Sequence, residues 1–195
     1  MENQNTQRCP WPGNRALDIK YHDEEWGVPV HDDNKLFEFL LLDAFQAGLS
    51  WTTILKKREN FRIAFNNFDA KVISEYGENK VTELMQNKGI IRNQLKIRST
   101  IKNAQLFLGI QKEFGSFDSY IWKFTNGSTI INNWHSNSDV PATSHESENM
   151  SKDLKKRGFK FVGSTICYAF MQAAGMVNDH LTNCYRYNEI NNARK

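Results

Sequence analysis

Apolar residues in this chain recur at intervals of three and four, and nowhere alternate with polar ones for long enough to demand a sheet. That property points to packed helices. From Lys35 to Gly48, Leu36, Leu40, Asp43 and Ala47 share one stripe, Phe37, Leu41, Ala44 and Phe45 lie beside it, and Asp32 or Asp33 can cap the start. A helix with so wide an apolar face buries most of its circumference. Asp43 therefore sits where a carboxylate is costly unless it is paired or meets a ligand.

The same spacing predicts a second helix through Ile54, Phe61, Phe65 and Phe68. A short one follows, capped by Asp69, and another carrying Val81, Leu84 and Met85 stops before Gly89. A long helix through Ile97, Ile101, Ala104 and Leu108 ends near Gly115, and Tyr120 to Phe124 reads as a short one. Residues 125–148, rich in Asn, Ser and Thr, read as a loop. Helices are then expected over 152–157 and 165–176, joined by a turn bounded by glycines. The expectation is an all-α fold in a single domain, 1–195, with 185–195 as a tail. A chain of 195 residues can bury about 70 % of its surface without cross-links.

The longest nearly apolar stretch, 162–177, is interrupted by Ser164, Thr165, Tyr168 and Gln172 and is shorter than the ~20 residues of a membrane span. The opening MENQNTQRCPW has no apolar segment of the kind a secretory signal carries. These features imply a cytoplasmic protein without a membrane partner. In that compartment its three cysteines suit a metal site or buried thiols better than disulfides.

Net charge is only +3, but its distribution is uneven. Eight acids fall in 18–43 against two lysines, while 88–102 holds five bases and no acid, and 152–160 holds five bases against Asp153. Basic segments brought together by the fold make a phosphate-binding face, although either one alone is also what a solvated helix face looks like.

Three constellations carry chemistry. Cys9 and His22 lie near the amino terminus, and His180 and Cys184, at i and i+4, near the other end. On a helix that spacing puts both side chains on one face, and two Cys with two His make a closed tetrahedral set for one structural Zn²⁺. Unrelated surface histidines and incidental thiols remain the alternative. The second constellation is the turn in LKKRGFKFVGSTICYAF, where Gly158 and Gly163 separate a basic helix from a helix N-terminus. Backbone N–H groups of Gly163, Ser164 and Thr165 can face a phosphate there, with Lys155, Lys156, Arg157 and Lys160 supplying charge. This resembles a helix-hairpin-helix, though an ordinary helical hairpin fits too. The third gathers Trp11, Tyr21, Trp26 and Trp51 around the stripe that carries Asp43. Aromatic faces beside an anion suit a flat cation, although the same rings can simply fill a core. Taken together, a backbone clamp, an aromatic slot and a buried anion are what an enzyme needs to hold one alkylated, positively charged purine out of the stack.

Six segments then resemble a known family: YHDEEWGVP (21–29), QAGLSW (46–51), LKKREN (55–60), GIIRN (89–93), LKKRGFKFVGSTICYAFMQAAG (154–175) and VNDH (177–180). They are similar to DNA-3-methyladenine glycosylase I over about 9–184. The resemblance implies a helix-hairpin-helix glycosylase fold, with zinc held by Cys9, His22, His180 and Cys184 joining the termini. It implies hydrolysis of the N-glycosidic bond of 3-methyladenine, and of 3-methylguanine, leaving an abasic site without strand cleavage. The partner implied is double-stranded DNA containing alkylated bases, met by a nucleoid-associated monomer with no obligate protein partner. Tyr21 and Trp51, with Trp11 and Trp26 nearby, fall on base-binding positions, and Asp43 on the acidic residue that contacts the base. The family usually has Glu followed by Gly where this chain has Asp43 in DAF. The shorter acid leaves open a non-catalytic sensor of alkylated bases, and a zinc-stapled nucleic-acid-binding module with no base pocket is a further rival. Related hairpin glycosylases use an Asp after the hairpin to polarise water and stabilise the sugar cation; Asp179 is the nearest acid here, but it adjoins His180 and is kept only as a candidate support for the metal ligands.

Overall fold

The computed structural model describes residues 7–192. The opening MENQNT and the last three residues of the expected tail lie outside them. Ten α-helices are described: α1 (Ala16–Glu24), α2 (Asp33–Gln46), α3 (Trp51–Ala64), α4 (Ala70–Ser74), α5 (Glu78–Gln86), α6 (Gln94–Phe114), α7 (Phe117–Ile121), α8 (His145–Lys156), α9 (Ser164–Ala173) and α10 (Tyr185–Asn192). The chain is all-α in class. Its one sheet among the described residues pairs β1 (Ile130–Ile131) with β2 (Val177–Asn178) in parallel, too short a ladder for alternation to reveal.

The apolar stripes explain the packing. Every residue of α2 from Leu36 to Phe45 is buried, and α2 lies against α3, α6, α7 and α9 at the centre of the molecule. Asp32 caps α2, accepting from the Lys35 N–H at 2.8 Å, and Asp69 caps α4. At the other end of α2, Lys96 of α6 donates Nζ to the carbonyls of Phe45 and Ala47 at 2.8 and 2.6 Å. Lys96 is buried, and burial lowers its pKa. The basic run 88–102 is therefore not one charged face, because Lys96 closes a helix end and Arg98 pairs with Glu78.

Several boundaries differ from the sequence expectation. The α3 helix stops at Ala64, with Phe68 in a separate turn where Asn66, Asn67 and Phe68 take positive φ, and α7 begins at Phe117 because Ser116 caps it. Helix α8 begins at His145, because Ser144 and Ser147 form a reciprocal capping box. Its buried face includes Ser147 and Ser151, which the apolar pattern does not register. His180 and Cys184 stand in a turn rather than on a helix, closed by the Cys184 N–H to the Leu181 carbonyl at 2.8 Å. Residues 185–192 of the expected tail form α10, whose Ile190 is buried.

One glycine fixes how the amino-terminal segment meets α9. At Gly175 (φ +67°) an added Cβ would come within 2.3 Å of the Val28 carbonyl carbon. With no side chain there, the Gly27 N–H reaches the Gln172 carbonyl and the Val30 N–H reaches that of Ala174, at 3.0 and 3.1 Å. This contact lays residues 26–30 along α9. It also leaves Tyr21, His22 and Trp26 facing the carboxyl-terminal third of the chain. Arg58 of α3 locks the same region, bonding Glu25 through both oxygens and Glu38 at 2.7 Å.

Candidate active site

Two buried constellations meet at this junction. In the first, the ligand atoms of Cys9, His22, His180 and Cys184 all lie within 4.8 Å of one another, and all four residues are buried. Cys9 Sγ is 3.7 Å from His180 Nδ1, and Cys184 Sγ is 3.6 Å from the same atom and 3.5 Å from His22 Nε2. Arms of about 2.0–2.3 Å from a tetrahedral ion place its ligand atoms roughly 3.3–3.8 Å apart, so this donor set fits a metal. The other ring nitrogens agree. His22 donates Nδ1–H to Asp23 Oδ1 at 2.7 Å, and His180 donates Nε2–H to the Trp26 carbonyl at 2.9 Å, which turns the lone pairs of both rings toward the sulfurs. Asp23 is held in turn by Arg8. The Cys184 thiol is drawn well below its usual range, first by its hydrogen bond with Cys9 and then by the neighbouring ring nitrogens of His180 and His22. This group can hold a metal ion, and the spacing expected from a helix is delivered instead by a turn.

The second constellation is a cavity of about 380 Å³ lined by Trp11, Tyr21, Trp26, Asp43, Gln46, Trp51, Ala169, Gln172 and Asp179, with Asn137, Val140 and Pro141 closing one side. All four aromatics singled out in the sequence line it, together with Asp43. Tyr21 and Trp51 stand with ring centres 5.1 Å apart, and Trp11 meets Trp26 edge-on at 5.3 Å. Asp43 is 2 % exposed. Its Oδ2 and the indole N–H groups of Trp11 and Trp51 are buried with no hydrogen-bond partner among the described residues. Burial pushes the Asp43 carboxyl well above its ordinary range. Burial, and then the charge of Asp43, also raises the Tyr21 hydroxyl, so Tyr21 presents a neutral ring.

Asp179 does not face the Cys/His group as its place in the sequence suggests. It lines the cavity, accepting from Asn132 and Trp134 on Oδ1 and from Tyr168 and Gln172 on Oδ2, at 2.7–2.8 Å. These bonds tie the chain after β1 to α9 and so set the wall that carries Asn137, Val140 and Pro141. Sequence reasoning missed this wall, because its polar residues signal only a loop.

The hairpin is formed by α8, a turn and α9. Asn103 of α6 holds the turn through the Lys160 N–H and carbonyl, both at 2.9 Å. Gly163 caps α9 with no side-chain bond, which leaves the first N–H groups of that helix open. Lys155, Lys156, Lys160 and Thr165 are exposed, and Gly163 and Ser164 half-buried. Arg157 differs from its neighbours. It pairs with Glu113 and Asp153 and lies over the rings of Phe114 and Tyr120.

With this geometry in hand, comparison with known proteins is decisive. Residues 11–187 match the family model described as methyladenine glycosylase. The chain belongs to that family. A methyladenine glycosylase relative, the DNA-3-methyladenine glycosylase of Haemophilus influenzae, is 47 % identical over 179 residues, covering 92 % of this chain and 97 % of that protein. The crystal structure of a 3-methyladenine DNA glycosylase I superposes with a TM-score of 0.90 at 49 % identity, covering 92 % of this chain and 98 % of the other. A second, from Staphylococcus aureus and solved to explain 3-methyladenine recognition, gives 0.88 at 33 % identity, covering 91 % and 95 %. No helix among the described residues of this methyladenine glycosylase is long and apolar enough to cross a membrane.

Proposed function

We propose that this chain, acting as one domain, removes 3-methyladenine from alkylated double-stranded DNA by hydrolysing the N-glycosidic bond, and leaves an abasic site with the strand intact. The relatives of that name support the reading. The observation that carries it is Asp43, an unpartnered buried carboxylate in an aromatic cavity. An anion so placed is unfavourable until a cation arrives. A base alkylated at a ring nitrogen brings that charge, and an unmodified purine does not.

The flipped base stacks on Trp51 and Tyr21, while Asp43 supplies its counter-charge; Trp11 and Trp26 close the aromatic wall. Once the base is in place, its departure as a neutral molecule makes it a good leaving group, and water attacks the sugar. The hairpin grips the backbone through Lys155, Lys156 and Lys160 and the open N–H groups at Gly163, Ser164 and Thr165, with Arg157 bracing the α8 end of the turn. Zinc is the ion that two thiolates and two imidazoles in a closed tetrahedral set favour. Cys9, His22, His180 and Cys184 would hold it, and its chemistry there would be structural, joining the two ends of the domain.

The test is to incubate the protein with methylated duplex DNA and identify the purines released. Release of 3-methyladenine with intact strands carrying abasic sites is expected. Binding without release would make the protein a sensor instead.

A further inference from the structure

The aromatic rings of the cavity are held from behind by a group that lines no part of it. Asp18, in the first turn of α1, is 1 % exposed. Its Oδ2 accepts from the Thr52 hydroxyl at 2.8 Å and from Arg15, while its Oδ1 is buried without a partner. Each contact leads to one ring. Thr52 adjoins Trp51 at the start of α3. Tyr21 stands one turn beyond Asp18 on α1. Arg15 donates Nη2–H to the Trp11 carbonyl at 2.7 Å. The amino-terminal stretch that bears Trp11 and Tyr21 and the distant start of α3 that bears Trp51 are thus tied to a single buried carboxylate.

We propose that Arg15, Asp18 and Thr52 are positioning residues that set the angle and spacing of Trp11, Tyr21 and Trp51 for the base, so that Asp18 governs how tightly the slot takes a planar ligand without touching it. This rests on the reading of the cavity as the base site. The physical reason lies in the geometry of α1 and α3. They meet at the Asp18–Thr52 hydrogen bond, while the other polar tie between them, Arg58 to Glu25, lies at the far end of α1. A stacked ligand needs two faces held at a fixed separation, and a hinge between the helices that carry them would let that separation drift. Burying one carboxylate oxygen unpaired is unfavourable, and the arrangement makes sense if the other oxygen performs a task that a neutral side chain performs less well.

The experiment uses the full-length protein, with free 3-methyladenine as the probe and quenching of tryptophan fluorescence as the readout, alongside excision kinetics on methylated DNA. Thr52→Val removes the hydroxyl at nearly constant shape, and Thr52→Ser restores it. Thr52→Val and Asp18→Asn should each raise the dissociation constant and KM roughly 3–10-fold, about the net worth of one ordinary hydrogen bond because the contact acts on the ligand only through the rings, with little change in kcat. Thr52→Ser should bind as the parent does. Thermal unfolding of each variant, measured in parallel, separates the two roles. If Thr52→Val lowers Tm but leaves the dissociation constant of the folded protein unchanged, the contact is merely structural and the inference is overturned. Loss of binding in Thr52→Ser equal to that in Thr52→Val overturns it as well, because the hydroxyl is then not what matters. Failure of the unmodified protein to bind the probe at all removes the base-site reading and this inference with it.

Discussion

The Cys/His group and the aromatic cavity share a wall: Trp26 stacks near His22 and meets His180 edge-on at 4.6 Å. They differ in how their polar atoms are satisfied. In the first, each ring nitrogen has a partner, and the sulfurs and lone pairs converge on one point. In the second, a carboxylate oxygen and two indole N–H groups have none among the described residues. A buried polar cluster that closes on itself is built to hold a fold together. One left open is built to receive something from outside.

That contrast can be broken most forcefully at the closed cluster. Stripping metal with a chelator, or substituting Cys184→Ala, should lower Tm by ~10 °C or more, since a structural ion contributes folding free energy directly. A protein whose Tm ignores both treatments would not use the group as a staple. At the open cluster, Trp51→Ala should reduce excision of 3-methyladenine by roughly 5–150-fold, the range of one lost stacking platform, while nonspecific DNA binding survives. Equal loss of both would mean that Trp51 belongs to the DNA-binding face instead.

Asp43→Asn sharpens the comparison, because its two expected effects have opposite signs. Folding raises the Asp43 pKa above 3.8, so stability present at low pH is lost as pH rises through the interval between the unfolded and folded values. Removing the charge should therefore raise Tm at neutral pH, by ~2–4 °C for each kcal/mol relieved, while excision falls about tenfold. Asp43→Glu should keep excision. The smallest effect is on the pH profile. Excision should weaken as pH is lowered through the raised pKa of Asp43, and this acid limb should vanish in Asp43→Asn.

Several elements were legible in the sequence for definite reasons. Helix α2 and its caps follow from periodicity and from Asp32, because local spacing decides which side of a helix is apolar. The four metal-ligating candidates were legible by residue type. The route by which two of them meet was not, since four residues can be spanned by a helix or by a turn. Asp179 was misplaced by reasoning from its neighbour: adjacent residues outside a helix point in different directions, and it turned to the cavity while His180 turned to the sulfurs. Arg157 and Lys96 counted as free charge in the sequence, yet one braces the hairpin and the other closes α2.

The sequence by itself determined the helical class, the inventory of thiols, imidazoles and rings, and an aspartate committed to a buried face, because these depend on residue identity and spacing along one helix. Only the tertiary structure decided that Asp43 lacks a partner, that Asp179 has four, and that Asp18 ties the amino-terminal ring-bearing stretch to the start of α3. Whether a buried charge is satisfied depends on groups tens of residues away, and their positions follow from the packing of whole helices and not from any local pattern.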